Sequence, residues 1–149
     1  LALPYEDFDT VITDIKEADL EEIGNDSEIE HLSLGTFSSP AFPVSGRMYG
    51  LNIRYMAPLV CQRAGQHNSR ALNIWFLIDV GSPFTCLSVR SLEALLGPGN
   101  VTRGLYSLAI QDQKSRIECR VSKAHFKDVN LLGADSMRRL KLSIVVDWE

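Results

Sequence analysis

The most informative part of the sequence is the stretch Phe76-Leu77-Ile78-Asp79-Val80-Gly81-Ser82-Pro83-Phe84-Thr85. It completes a dense apolar run that starts at Ala71 and predicts a buried strand ending at Ile78. The strand delivers the carboxylate of Asp79 into a tight turn at Gly81. Burying a carboxylate is costly unless it is paired or hydrogen-bonded, which makes Asp79 a candidate functional residue. An aspartate that merely ends a strand before a glycine turn is a common structural feature. For the first stretch taken alone, this structural interpretation is the favoured one.

A second stretch, Val129-Asn130-Leu131-Leu132-Gly133-Ala134-Asp135, predicts a short strand and a tight turn. Residues 135–140 then favour a helical turn, and Leu142, Ile144 and Val146 alternate as a half-buried final strand requires. The last part of the chain is therefore predicted to form a short strand, a helical turn and a final strand.

Between the two stretches the pattern predicts one helix and one hairpin. Ser88 is a suitable cap for a helix over 89–96, which Gly97 ends. Residues 105–121 alternate on either side of the polar segment 111–114, as in a β-hairpin. Before Asp79, residues 48–60 are mostly extended, and Pro58 in them indicates an edge or a strand end.

Together these stretches resemble the retropepsin family, the retroviral and retrotransposon aspartic proteases and their cellular relatives. In that family an apolar strand leads into Asp-Thr/Ser-Gly-Ala/Ser, with Thr or Ser three residues further on. A helix-like segment, a flap hairpin and an Ile/Leu-Leu-Gly-x-Asp/Asn signature before a helix then follow. The resemblance spans roughly residues 46–148. The matching positions are Asp79, Gly81, Ser82, Thr85, Leu131, Leu132, Gly133 and Asp135.

The resemblance implies a mainly β fold, a retropepsin-like closed β-barrel (one half of an acid protease) with one or two short helices. It also implies a homodimer in which each chain supplies one Asp79 at the two-fold axis, with Gly81 beside it. Two carboxylates held close together share a proton, and the pair then activates water against a peptide carbonyl. The C-terminal strand over 142–146 is expected at the subunit interface.

Two departures from the family pattern count against catalysis. Val80 stands where the family has Thr or Ser, whose hydroxyl hydrogen-bonds across the dimer beneath the aspartates. Losing such a bond costs on the order of 1 kcal/mol. The flap is the second departure, because the hairpin over 105–121 corresponds by its distance from Leu131 to the strand pair after the flap. The flap is then missing or reduced to the loop 97–104. The alternative alignment makes 111–114 the flap tip.

Charge divides the chain into an arm and a body. Residues 1–30 hold eleven of the nineteen acids and one of the fifteen basic residues. We therefore expect an acidic arm over 1–32, partly helical or disordered and outside the barrel core, with Phe8, Ile12 and Ile15 at helical spacing. The arm is either a short amphipathic helix that docks on a basic groove, of its own chain or of a partner, or a solvated linker. Residues 33–45 are rich in Ser, Gly and Pro and predict a connector. The retropepsin-like domain occupies 46–149.

Composition narrows the classes of partner. The chain has no run of apolar residues long enough to span a membrane, and its mildly basic body lacks the aromatic interleaving of a nucleic-acid surface. The three histidines lack metal-ligand spacing, so no metal or cofactor is expected. The three separated cysteines form no CxxC pair and indicate free thiols in an intracellular compartment, cytoplasmic or nuclear.

Two functions follow from these patterns. The favoured interpretation is a retropepsin-like domain with a degenerate active site, used for homodimerisation or for binding a protein or peptide. The alternative is an active homodimeric aspartic endopeptidase. Val80 and the missing flap favour the first, whereas Asp79, Gly81 and the Leu-Leu-Gly signature favour the second. The turn residues Val80, Ser82 and Thr85 and the signature residues Leu132, Gly133 and Asp135 complete the candidate site.

Overall fold

A computed structural model describes residues 15–148 of the chain. The described part is mainly β, as the sequence pattern predicts, with seven strands, three α-helices and a short 3-10 turn over Ala124–Phe126. The elements in chain order are α1 (Glu17–Asp26), β1 (Arg47–Tyr49), β2 (Arg54–Arg63), β3 (Leu72–Ile78), β4 (Cys86–Leu87), α2 (Val89–Leu96), β5 (Tyr106–Ile110), β6 (Arg116–Val121), β7 (Leu131–Leu132) and α3 (Ala134–Arg139).

The strands form one mixed sheet with the order β1-β2-β3-β7-β4-β6-β5. Strand β5 also pairs with β2, so the pairings from β2 round to β5 close on themselves. Strand β7 lies between β3 and β4, parallel to the first and antiparallel to the second. Because β3 and β4 flank the Asp79 turn in sequence, this insertion brings the second stretch of the sequence beside the first.

The extended stretch over 48–60 is a hairpin and not one strand. Strands β1 and β2 pair antiparallel, with Tyr49 opposite Arg54, and a turn over residues 50–53 joins them. Pro58 lies inside β2, opposite Trp75 of β3, so of its two expected places the strand end is wrong, whereas an edge describes the middle of β2. The position tolerates proline because β1 and β5 pair with the two ends of β2 and leave its middle open on that side.

The larger apolar core lies within the closed pairings. It combines residues of β2, β3, β5 and β6 with Leu92 and Leu95 of α2. Helix α2 has the predicted limits, because the Ser88 side chain accepts the Ser91 N–H and Gly97 ends the helix at a φ of 98°. Each end of this helix is therefore determined by a local residue.

Helix α1 covers the other face of the sheet, apart from the larger core within the closed pairings, so this part of the acidic arm packs on the sheet. Ile15, Leu20 and Ile23 are buried in a second apolar cluster with Trp75 and Leu77 of β3. The acids of the helix remain at the surface, which lets a strongly charged segment bury one apolar stripe. The predicted helical spacing at Phe8 and Ile12 falls outside the described residues.

The chain after α3 does not form the expected final strand. The Leu142 N–H donates to the Met137 carbonyl at 2.9 Å and closes the helix. Residues 142–148 pair with no other strand of the described chain. Alternating apolar residues need a neighbouring strand edge to form a ladder, and none lies beside this segment in the single chain. None of the helices in residues 15–148 has the length and apolar run of a membrane span.

Candidate functional site

Asp79 follows the last residue of β3 and begins a tight turn, here called the Asp79 turn (residues 79–81). The Asp79 N–H donates to the Leu132 carbonyl at 3.0 Å, which ties the turn to β7. Its Oδ1 accepts the Gly81 N–H at 2.9 Å, and its carbonyl accepts the Ser82 N–H at 3.2 Å. The half-buried carboxylate of Asp79 is therefore oriented by a hydrogen bond within its own turn.

The two sequence motifs meet at a close backbone contact around Gly133. The Ala134 N–H donates to the Ser82 carbonyl at 2.7 Å. A Cβ at Gly133 would overlap the carbonyl of Phe84 and come within 2.9 Å of the Ser82 carbonyl oxygen. The φ of Gly133 is an ordinary −87°, so glycine is required here for space and not for backbone freedom.

Thr85 connects the turn to α3 through its hydroxyl group. The Thr85 Oγ1 donates to Asp135 Oδ1 at 2.7 Å and accepts the Gly133 N–H at 3.1 Å. The Thr85 N–H donates to Asp135 Oδ2 at 3.2 Å, so one carboxylate binds both groups. We call Thr85, Gly133 and Asp135 the anchor residues. They join the segment that follows the Asp79 turn to the start of α3, and this junction is called the corner.

Two further residues, Ser136 and Asn130, support this corner and were not singled out from the sequence. Ser136 shares a hydroxyl contact with Thr85. Asn130 is fully buried, and its side chain accepts the Ser88 N–H at 3.0 Å and donates to the Trp75 carbonyl at 3.3 Å. A polar Asn130 inside an otherwise apolar stretch was the available signal, because buried amides occur where they are hydrogen-bonded.

Val80 projects outward from the Asp79 turn, with 62% of its surface exposed. Beside it, Ile78 and Leu132 line a groove of about 670 Å³. Residues 42–48 and 141–147 also line this groove. The site therefore combines a carboxylate, an exposed valine and an adjoining, largely apolar groove.

The hairpin formed by β5 and β6 belongs to the sheet, and its tip is held far from the Asp79 turn. The Gln111 N–H donates to the Val60 carbonyl at 2.8 Å, and its side-chain amide donates to the Ala41 carbonyl at 2.8 Å. Val60 lies four residues along β2 from Met56, which is opposite Leu77 near Asp79. This geometry favours the alignment in which 111–114 is not a flap tip.

Cysteine and metal chemistry have no assembled site in the described residues. The three thiols are free and buried, and burial raises the pKa of Cys86 to about 12, so this thiol is protonated at neutral pH. No three side chains of His, Cys, Asp or Glu within residues 15–148 come together to hold a metal ion. The carboxylate of Asp79 is the group with the clearest chemical use at this corner.

Comparison with protein-family models, with curated proteins and with solved structures found no match to the chain.

Proposed function

We propose that this chain is a retropepsin-like domain with a degenerate active site, which acts as a homodimer and binds a protein or peptide at Asp79. The observation that carries the proposal is the position of Asp79 and Val80 on one turn, with Thr85, Gly133 and Asp135 building the corner beneath them. The closed strand pairings are compatible with the retropepsin-like barrel that the sequence resemblance implies.

A second copy of the chain would complete the surface around Asp79. Val80 is 62% exposed and Val145 is 94% exposed, although both are apolar. Residues 142–146 carry an apolar alternation and belong to no strand of the described chain. The groove lined by residues 42–48 and 141–147 has room for an extended segment. A partner's C-terminal segment that entered this groove would add the missing strand and cover the exposed valines.

Val80 would weaken catalysis but would leave the two Asp79 carboxylates close together. Its side chain offers no hydroxyl to bond across the dimer, so two Asp79 carboxylates would lack the support that holds them coplanar around one water. Small misplacements of catalytic groups can cost ~100-fold in rate. The β5–β6 tip is held by Val60 and Ala41, at a distance from the Asp79 turn. A site that no flap covers stays wet, which weakens its electrostatic interactions.

The active aspartic endopeptidase remains the second candidate because Asp79 is retained on a tight, hydrogen-bonded turn. A domain used only for binding has no chemical need for a carboxylate at this position. The same two-fold arrangement would serve both functions, so activity measurements separate them.

The decisive experiment compares the unmodified protein with the Asp79→Asn and Val80→Thr variants. Sedimentation equilibrium at micromolar concentration gives the oligomeric state, and a peptide library at about pH 5 reports cleavage. We expect a dimer with weak or no cleavage, and a gain of cleavage in Val80→Thr. A monomer would contradict the dimer, and strong cleavage that Asp79→Asn abolishes would establish the endopeptidase.

We propose an intracellular location because of the thiols. Cys61, Cys86 and Cys119 are all buried and unpaired with one another. Free thiols are typical of a reducing compartment, which supports an intracellular protein. Detecting the labelled protein among the fractions of lysed cells would test this location.

A further inference from the structure

The chain between α1 and β1 begins with a segment that lies along one edge of β3, here called the edge segment (residues 29–35). The Leu32 N–H donates to the Asn73 carbonyl at 2.7 Å, as between adjacent strands. Two residues further along β3, the Trp75 N–H donates to His31 Nδ1 at 3.1 Å. A side-chain nitrogen therefore accepts a hydrogen bond that a backbone carbonyl accepts in an ordinary strand pairing.

The His31 ring is buried, with 1% of its side chain exposed. In a neutral imidazole one nitrogen accepts a hydrogen bond and the other carries the proton. Because Nδ1 accepts the Trp75 N–H, the proton of the neutral ring is on Nε2, which lies 3.5 Å from Glu17 Oε1. A second proton can be added only at Nδ1, where it would face the Trp75 N–H. Protonation of His31 and its bond to Trp75 therefore exclude each other.

The charged groups around the ring come from α1 and α2. Helix α1 contributes Glu17, and α2 contributes Arg90, whose guanidinium lies 3.3 Å from Glu17 Oε1 and 3.1 Å from Glu21 Oε1. Strand β3 has no ionisable side chain, and Glu30 of the edge segment is exposed. Neither Glu17 Oε1 nor His31 Nε2 has a hydrogen-bond partner in the described chain. Arg90 thus offsets the attraction of Glu17 for a protonated ring, and a buried N–H that loses its acceptor is costly.

We propose that His31 is an acid-sensitive latch, which holds the edge segment on β3 at neutral pH and releases it when the ring is protonated. Histidine changes its charge between about pH 5 and 8. The released segment binds one more proton than the bound segment, so the bound state is stable at neutral pH and loses stability as the pH falls through this range. Release leaves the backbone groups at this edge of β3 unpaired, and an unpaired edge is a surface on which another strand can pair.

Hydrogen exchange of single backbone amides, followed by NMR on the full chain at about pH 7.5 and about pH 5.5, tests the latch. The Trp75 N–H reports release of the edge segment. The Phe76 N–H is the internal control, because successive N–H groups of a strand point to opposite edges and this one points to β2. Protection is expressed relative to an unstructured amide at the same pH, since exchange itself depends on pH.

The test variant is His31→Asn, because the asparagine side chain offers an acceptor near the position of Nδ1 and does not titrate. The chain has three histidines, so His67→Asn and His125→Asn are the matched controls. In the unmodified protein and in both controls, we expect Trp75 protection to fall about tenfold between the two pH values, while Phe76 keeps its protection. In His31→Asn, the protection of Trp75 should be the same at both pH values.

Unchanged Trp75 protection in the unmodified protein overturns the latch, and so does an equal loss at Phe76, which would report unfolding of the whole strand. A response that persists in His31→Asn also overturns it. If His31→Asn does not fold, the two control variants decide. Loss of the response in either control assigns it to another histidine and overturns the proposal, whereas its retention in both leaves His31 as the histidine responsible.

Discussion

The anchor residues and the Asp79 turn lie side by side, yet the chain holds them very differently. The Asp135 carboxylate accepts from both the N–H and the hydroxyl group of Thr85, and Gly133 leaves no room for a side chain. In the Asp79 turn, Val80 is exposed and a Cβ on Gly81 would meet only Asp79 Oδ1 within 4 Å. The two aspartates therefore have different roles. Asp135 stabilises the fold by binding Thr85, whereas Asp79 lies on the exposed turn.

The largest expected effect is that of Gly133→Ala. The added methyl group overlaps the Phe84 carbonyl, a backbone atom that cannot rotate away. We expect the free energy of unfolding to fall by about 4 kcal/mol, as measured by urea denaturation. A loss below about 1 kcal/mol would mean that the contact between the two motifs is looser than this geometry requires.

Thr85→Val should have the next largest effect. Valine keeps the shape but removes the hydroxyl that binds Asp135 and accepts the Gly133 N–H, which leaves a buried donor without its acceptor. The expected loss is about 2–3 kcal/mol of unfolding free energy. Thr85→Ser is the matched control, because it retains the hydroxyl and should recover much of that loss. Equal denaturation midpoints for the two variants would rule out the hydroxyl as the cause.

Gly81→Ala should have the smallest effect on stability. Its Cβ would stand 3.1 Å from Asp79 Oδ1, so the carboxylate must shift by only a few tenths of an ångström. We expect the free energy of unfolding to fall by less than about 1 kcal/mol. The free energy of peptide binding, or the activation free energy of cleavage, should change by more than that. If urea denaturation instead gave a loss as large as that of Gly133→Ala, the contrast between the Asp79 turn and the anchor residues would fail.

Local sequence determined the elements whose ends are set by their own residues. Helix α2 begins at the cap Ser88 and ends at Gly97 as predicted, and β7 with its turn lies within the predicted stretch. These features depend on hydrogen bonds between near neighbours and on the conformational freedom of glycine. The mainly β composition likewise followed from alternation of apolar residues.

The candidate site was predicted as a set of residues, whereas its construction depended on the tertiary structure. The motifs around Asp79 and Gly133 were recognised in the sequence, and β7 brings them together by lying between β3 and β4. The resemblance already separated Asp79 from Asp135, but the hydrogen bonds of Asp135 were not predictable. Thr85 lies 50 residues from Asp135 in the sequence, and only the tertiary structure brings its hydroxyl to that carboxylate.

The local sequence predicts most of the paired strands, helix α2 and the residues around Asp79 and Gly133, but it also predicts a final strand over 142–146 that the described chain does not form. The burial of Leu20 and Ile23, the place of Pro58 inside a strand and the turn over residues 50–53 are visible only in the tertiary structure. Those outcomes depend on contacts between residues far apart in the chain. A charged helix becomes part of a core when one apolar stripe meets an uncovered face of a sheet, and no local pattern states which face is uncovered.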